Sequence, residues 1–359
     1  MPIGVGVVGC GNISDVYLRT LSKSDAIHLV SVCDVIHERA ETVGTSYGVT
    51  HFGGLEDFLE DPRVEIVVNL TVPSAHFGVT RRAISLGKHV YSEKPLALSF
   101  AEGQSLVSEA YAAGLRLGCA PDTVLGAGIQ TCREIIESGG MGQIVGAAAH
   151  MMCPGHESWH PDPGFYYKRG GGPMFDMGPY YLTALHTLLG PAVSVMAMTS
   201  LLRTTRTISS EPRHGQSISV DVPTHIAGLL KFENGAIGQI TTSFDVCAHS
   251  FPPIEVYGTE GSLRVPDPNG FGGTPQFCPK GGDWSNVEAN RPYAAESRGL
   301  GVIDMAYAIA EGRPHRAKGD IALHVLEMME GFHLSAQTHS ETDLTTSPER
   351  TEPMSLTSW

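Results

Sequence analysis

Three polar side chains, Lys94, Asp176 and Tyr180, carry residue types from which an acid–base step can be built. Lys94 lies in Ser92-Glu93-Lys94-Pro95, where proline fixes its own φ and biases the residue before it toward extended backbone. Asp176 and Tyr180 are four apart, so on a helix they share one face a turn apart. A phenol, with an ordinary pKa of about 10, exchanges its proton at neutral pH only with help. A neighbouring ammonium favours the phenolate, and a carboxylate can orient that lysine or relay protons. The chemistry this set suits is removal of a proton from a hydroxyl, or its return.

A second constellation points to a nucleotide. Gly9-Cys10-Gly11-Asn12-Ile13-Ser14 follows the G-x-G-x-x-G/A pattern with serine in the last place. Gly9 makes the tight turn, Gly11 lets backbone approach a pyrophosphate, and Asn12 and Ile13 lead into a helix whose free N–H groups face the phosphates. Asp34 follows 23 residues after Gly11 at the end of the next strand, where a carboxylate accepts hydrogen bonds from both ribose hydroxyls and repels a 2′-phosphate. That favours NAD. Arg39 could stack on adenine or accept a 2′-phosphate, which leaves NADP open.

A third stretch, His156-Glu157-Ser158-Trp159-His160-Pro161-Asp162 followed by Phe165-Tyr166-Tyr167, mixes aromatic faces with donors and acceptors. Aromatic rings stack on the apolar side of sugar rings while polar groups take the hydroxyls, so His156, Trp159, His160 and Tyr166 read as a substrate loop. His156, His160 and Asp162 are also metal-ligand types, but no further ligand is positioned by the sequence, and no metal is expected.

These groups need a frame. Short apolar strands at 3–8, 29–33, 64–71 and 89–91 alternate with helical stretches, one supported by Val16, Leu18 and Leu21 and others at 39–47 and 76–86, and a helix at 100–113 with a strand at 115–119 completes the unit. Parallel strands need crossovers, so this rhythm implies a parallel sheet covered on both faces. After residue 121 the rhythm changes. A helix at 125–138 precedes strands at 144–152, 193–202, 224–232, 236–244 and 253–259, which read as an antiparallel meander joined by turns such as Glu233-Asn234-Gly235. Helices follow at 301–311 and 320–337, and residues 267–290, dense in Gly, Pro and Asn, read as a loop and a candidate for disorder. The expected fold is an α/β Rossmann domain over residues 1–121 and an α+β domain over 122–359 with a large, mostly antiparallel open sheet, one face of which needs a cover.

Composition narrows the partners. The 24 basic and 38 acidic residues give a net charge of −14, which repels nucleic-acid backbones. No apolar run reaches the roughly 18 residues of a membrane helix, and the start lacks a basic leader, so the chain reads as cytoplasmic. Seven cysteines without CxxC spacing indicate neither a disulfide framework nor zinc, and most read as small buried apolar residues.

The glycine-rich start, Asp34, the Thr71-Val72-Pro73 to His76 segment, Glu93-Lys94-Pro95 and Gly170-Gly171-Gly172-Pro173-Met174-Phe175-Asp176-Met177-Gly178-Pro179-Tyr180 together resemble the glucose-fructose oxidoreductase/inositol dehydrogenase/rhizopine catabolism family over nearly the whole chain. The resemblance implies NAD or NADP redox chemistry on sugars, cyclitols or related polyols, and a homodimer or homotetramer built on the open sheet. It implies that Thr71, Pro73, His76, Glu93, Lys94 and Pro95 border the cofactor, and that Lys94 also contacts substrate. Asp122, Asp176 and Tyr180 would line the same pocket. Many relatives carry histidine where Tyr180 stands here; some sugar ketoreductases carry tyrosine. Two other readings stay open: a tightly held NAD used for transient oxidation during glycoside cleavage or epimerisation, and a non-catalytic dinucleotide-binding sensor or partner subunit.

Overall fold

A computed structural model describes residues 2–357. The chain forms two compact units: Met1–Gly126 with Ala295–Leu326 and Thr351–Trp359, and Ala127–Ala294 with Glu327–Arg350. A single cut after residue 121 would have assigned the two later segments of the first unit to the second.

The first unit alternates strands and helices: β1 (Ile3–Val8), α1 (Ser14–Leu21), β2 (Ile27–Cys33), α2 (His37–Tyr47), β3 (Thr50–Phe52), α3 (Leu55–Glu60), β4 (Ile66–Asn69), α4 (Pro73–Ser85), β5 (His89–Ser92), α5 (Phe100–Ala112) and β6 (Leu117–Cys119). All six strands pair in parallel in the order β3-β2-β1-β4-β5-β6. The order reverses direction between β1 and β4, the place where doubly wound sheets open a ligand crevice at the carboxyl ends of their strands. β4 shows why both faces are covered: Ile66 and Val68 join a core with Tyr17 and Leu18, whereas Val67 joins Phe58 and Leu106 on the other side. β3 and α3 were not expected. Three half-exposed residues at a sheet edge leave too short a pattern to read.

The second unit continues with α6 (Ala127–Glu137), β7 (Ile144–Met152), α7 (Gly172–Leu189), β8 (Ala192–Ser200), β9 (Thr205–Thr207), β10 (Ser217–Ser219), β11 (His225–Phe232), β12 (Ile237–Ser243), β13 (Ile254–Gly258), β14 (Gly261–Val265), β15 (Gln276–Pro279) and β16 (Ser285–Asn286). Two helices, α8 (Leu300–Glu311) and α9 (Gly319–Thr338), precede the last short strand, β17 (Thr342–Asp343). Nine strands form one sheet in the order β16-β15-β14-β13-β7-β12-β11-β8-β17, and β9 pairs with β10 separately. Within the large sheet only β7 and β12 run parallel, which corrects the simple meander. Residues 267–290 include β15 and β16 and so are not merely a loop; β16 is the edge strand and β15 lies next to it, both too short to leave an apolar pattern. Along β11, buried Ile226, Gly228, Leu230 and Phe232 alternate with exposed Ala227, Leu229 and Lys231, so one face packs on α7 and the other is open.

All seven cysteines are free. Four are buried, Cys153 and Cys278 are half-buried and Cys247 is exposed. Among the described residues no helix is long and apolar enough to cross a membrane.

Candidate active site

In the first unit β1 runs into a turn that only glycine fits. Gly9 has φ +100°, and a Cβ there would stand 2.5 Å from the Leu70 carbonyl oxygen. Gly11 is the opposite case: nothing lies within 4 Å of where its Cβ would stand. The open ground fronts α1, which starts at Ser14 with no side-chain cap at Ile13, a helix start suited to an anion although the Ser14 amide itself donates to the Gly11 carbonyl at 3.0 Å. Ser14 does more than fit closely, since its hydroxyl donates to the Gly11 carbonyl at 2.7 Å and pins the turn. Asp34 accepts from the Cys10 amide at 2.8 Å through one carboxylate oxygen and from the Ile36 amide at 2.8 Å through the other. Burial, reinforced by that carboxylate, pushes the Cys10 thiol up to about 12, so it is a neutral wall of the turn. This cradle fits a pyrophosphate and an adjoining ribose diol.

The two loops beyond β4 and β5 are tied together. Asn69 closes β4 and accepts from both the amide (3.2 Å) and the hydroxyl (2.6 Å) of Thr71, while its amide group donates to the His76 carbonyl and to Thr80. His76 is buried on α4, which starts at Pro73; its Nδ1 lies 2.7 Å from the Pro95 carbonyl oxygen and its Nε2 2.9 Å from that of Thr71. Burial lowers its pKa, and the two carbonyls oppose that only in part. Glu93 is spoken for as well. It accepts from the Tyr17 hydroxyl at 2.6 Å and from the Lys94 amide at 2.9 Å. Lys94 is half-buried at the carboxyl side of β5, and Pro95 beside it is buried.

Asp122, expected to line a substrate pocket, spends one carboxylate oxygen on the amides of Gly299 and Gly301, each at 2.9 Å, at the start of α8. The side chain is fully buried. Burial raises its pKa to about 6 although both N–H groups pull the other way.

In the second unit α7 carries Asp176 and, one turn on, Tyr180, which is buried. His156 reaches Asp176 from the preceding loop, Nε2 to Oδ2 at 3.3 Å. Its ring lies 4.1 Å from Tyr166, 4.6 Å from Phe244 and 5.3 Å from Trp159, centre to centre. The loop is anchored by Arg206, which pairs with Glu157 at 2.6 Å, donates to the Phe244 carbonyl at 2.7 Å and pairs with Asp245. The Tyr167 hydroxyl donates to Glu157 at 2.6 Å and receives the His156 amide at 3.2 Å. Burial works against Glu157, but Tyr167 and Arg206 together hold its carboxyl below the usual range. His160 and Asp162 go elsewhere: His160 Nδ1 accepts from the Asp162 amide, and the Asp162 carboxylate pairs with Arg213.

Residues 3–120 match the family model described as an oxidoreductase family with an NAD-binding Rossmann fold, and residues 129–264 match the GFO/IDH/MocA C-terminal domain. The chain belongs to the Gfo/Idh/MocA family of oxidoreductases. Its first unit is the family's NAD-binding domain. Similar proteins include the myo-inositol 2-dehydrogenase of Thermotoga maritima, 24% identical over 72% of this chain and 74% of its own length. The 1,5-anhydro-D-fructose reductase of Ensifer adhaerens is 26% identical over the same shares, 72% and 74%. Among solved structures, an NAD binding oxidoreductase from Klebsiella pneumoniae superposes with a TM-score of 0.85 at 20% identity, covering 97% of this chain and 100% of its own.

Within this Gfo/Idh/MocA chain the expected cofactor residues fall into two groups. Gly9, Gly11, Asn12, Ile13, Asp34 and exposed Arg39 surround the glycine turn and the start of α2, while Thr71, Pro73, His76, Glu93, Lys94 and Pro95 form the tied loops. The expected substrate residues His156, Trp159, Tyr166 and Tyr180 belong with Asp176 to the second unit, and Asp122 belongs to the first. Asn69, Tyr17 and Arg206 went unread. An apolar strand ending in asparagine was a weak signal for the first, but the partners of Tyr17 and Arg206 lie too far along the chain for spacing to show.

Proposed function

We propose that this oxidoreductase is an NAD-linked dehydrogenase or reductase of a sugar, cyclitol or glycoside. One observation carries the substrate class: the aromatic rings of Trp159, Tyr166 and Phe244 gather around His156 beside the Asp176 carboxylate. Exposed Trp159 and half-buried Tyr166 offer stacking to the C–H face of a ring and hydrogen bonds to its hydroxyls, with fully buried Phe244 supporting them from beneath. The names of the Thermotoga and Ensifer relatives, an inositol dehydrogenase and an anhydrofructose reductase, agree with it. The Asp34 carboxylate favours NAD, with Arg39 the residue through which NADP would compete.

When bound, the dinucleotide supplies a hydride acceptor or donor at its nicotinamide. The turn from Gly9 to Ser14 would hold its pyrophosphate, Asp34 its adenosine ribose, and the tied loops its nicotinamide half. In the first unit Lys94 is the cation suited to donate a hydrogen bond to a reacting oxygen and favour its anionic form. In the second unit Tyr180 is the group suited to hold the proton, with Asp176 one turn before it on α7 as the next proton carrier. A panel of polyols, aldoses and glycosides with NAD and NADP, followed at the absorbance of the reduced nicotinamide, tests the reading. Lys94→Ala is expected to lose at least about tenfold in kcat while still binding NADH. Silence of the wild type across the panel would overturn the assignment.

The open face of the large sheet supports a homodimer or homotetramer. Met196, Met198, Leu229 and Ile237 are between 47% and 82% exposed, an apolar surface suited to a second copy of the chain. Met198→Glu should lower the mass measured by light scattering to that of a smaller assembly; an unchanged mass would place the contact elsewhere.

A further inference from the structure

We propose that the His156–Asp176 pair is the outlet for the proton released at the reacting oxygen, with His156 as its relay residue. This rests on the oxidoreductase reading above. Oxidation of a hydroxyl frees one proton for every hydride transferred. A phenol, with an ordinary pKa of about 10, is already protonated at neutral pH, and a carboxylate, at about 4, holds a proton poorly there. Imidazole is the side chain suited to take a proton and release it again near neutrality.

The geometry supplies that imidazole on Asp176, the residue one turn before Tyr180 on α7. Both members of the pair are largely buried, with side-chain exposures of 10% for His156 and 16% for Asp176. The ring is fixed by Tyr166, Phe244 and Trp159, and its backbone by Tyr167. Among the described residues Nδ1 has no hydrogen-bond partner, so the ring has one end on Asp176 and one end free. The other charged groups of the loop are engaged: Glu157 and Asp245 are bound to Arg206, and burial lowers the pKa of the neighbouring His160. With the neutral ring carrying its hydrogen on Nδ1, a proton arriving on Asp176 passes to Nε2 while Nδ1 gives one to water. The carboxylate is restored and the imidazole is left neutral in its other tautomer, which a turn of the ring resets before the next proton. Reduction runs the same path inward, and only O–H and N–H bonds change along it.

His156→Gln keeps a hydrogen-bonding group opposite Asp176 but cannot carry a proton. It should lower kcat about a hundredfold with the KM for the polyol changed by no more than about twofold. In His156→Ala, added imidazole should restore at least about tenfold, and it should do nothing for the glutamine variant. Wild-type kcat in His156→Gln, or a loss shared by KM and insensitive to imidazole, overturns the relay. A second measurement needs no turnover. In ¹⁵N-histidine spectra of the unliganded protein, the His156 resonance, identified by its absence from His156→Gln, should move in Asp176→Asn; an unmoved resonance overturns the pair. A wild type inactive on the whole panel would instead defeat the functional reading, and the spectra would still decide the pair.

Discussion

The hydroxyl of Tyr17 on α1 donates to the Glu93 carboxylate at 2.6 Å, joining two segments 76 positions apart. Glu93 in turn receives the Lys94 amide, so the helix that opens the glycine turn also braces the lysine loop. Tyr17 is fully buried; burial, then the neighbouring carboxylate, pushes its phenol well above the usual value, so it stays a donor. Tyr17→Phe leaves a half-buried carboxylate one donor short at a cost of about 1–3 kcal/mol. Urea unfolding should show that loss, with kcat falling as Lys94 loses its brace. Wild-type stability in the variant would make the bond incidental.

Coenzyme choice is the second prediction. In Asp34→Asn one acceptor oxygen remains for the turn, but the charge that repels a 2′-phosphate and draws the ribose hydroxyls is gone. Hydrogen bonds to charged groups contribute about 1.5–3 kcal/mol, so NAD should bind roughly tenfold or more weakly. The preference for NAD over NADP should narrow by at least as much. Ratios of kcat/KM for the two coenzymes measure this, and an unchanged ratio would remove Asp34 from the ribose site.

Asp122 yields a pH dependence of defined sign. Its carboxyl is raised from about 3.8 to about 6 in the folded protein, chiefly by burial, so folding favours the neutral acid. Stability from this group is present in full below the unfolded pKa and is lost as pH rises through about 6. A shift of that size corresponds to roughly 3 kcal/mol. The stability of wild type relative to Asp122→Asn should therefore decline between about pH 4 and pH 7, by unfolding in urea at each pH. A flat difference would mean the carboxyl does not titrate in that interval.

Those three residues also mark how far the sequence could be read. Gly9, Gly11 and Asp34 were legible because a glycine turn between an apolar strand and a helix imposes local demands that only certain residues meet. Asp176 and Tyr180 were legible as a pair because helical periodicity places them on one face. Asp122 was different: resemblance alone named it, and the bond of its carboxylate to the start of α8 nearly 180 residues later is a pairing that no local pattern encodes. The return of α8 to the first unit escaped for the same reason, since an apolar helix such as Leu300–Glu311 carries no mark of which sheet it will cover. The parallel β7–β12 pair was missed because alternation fixes which side of a strand is buried and says nothing of its neighbour's direction.

Arg206 provides the last prediction, and it separates the two units. Its side chain is 3% exposed and bridges Glu157 and Asp245 while donating to the Phe244 and Pro154 carbonyls. Replacing it by methionine keeps most of the packing over the Tyr167 ring but strands two largely buried carboxylates, a change that costs about 3–5 kcal/mol where one member of a buried pair is removed. Arg206→Lys should recover less than half, because a compact ammonium cannot reproduce the planar fork that serves four acceptors. Since Glu157 holds Tyr167, and Tyr167 holds the His156 backbone, the loop carrying His156 should loosen first. The KM for the polyol should then rise in Arg206→Lys while the Kd for NADH, whose cradle lies in the first unit, stays put. Equal losses of polyol and NADH binding would show instead that the arginine supports the whole molecule.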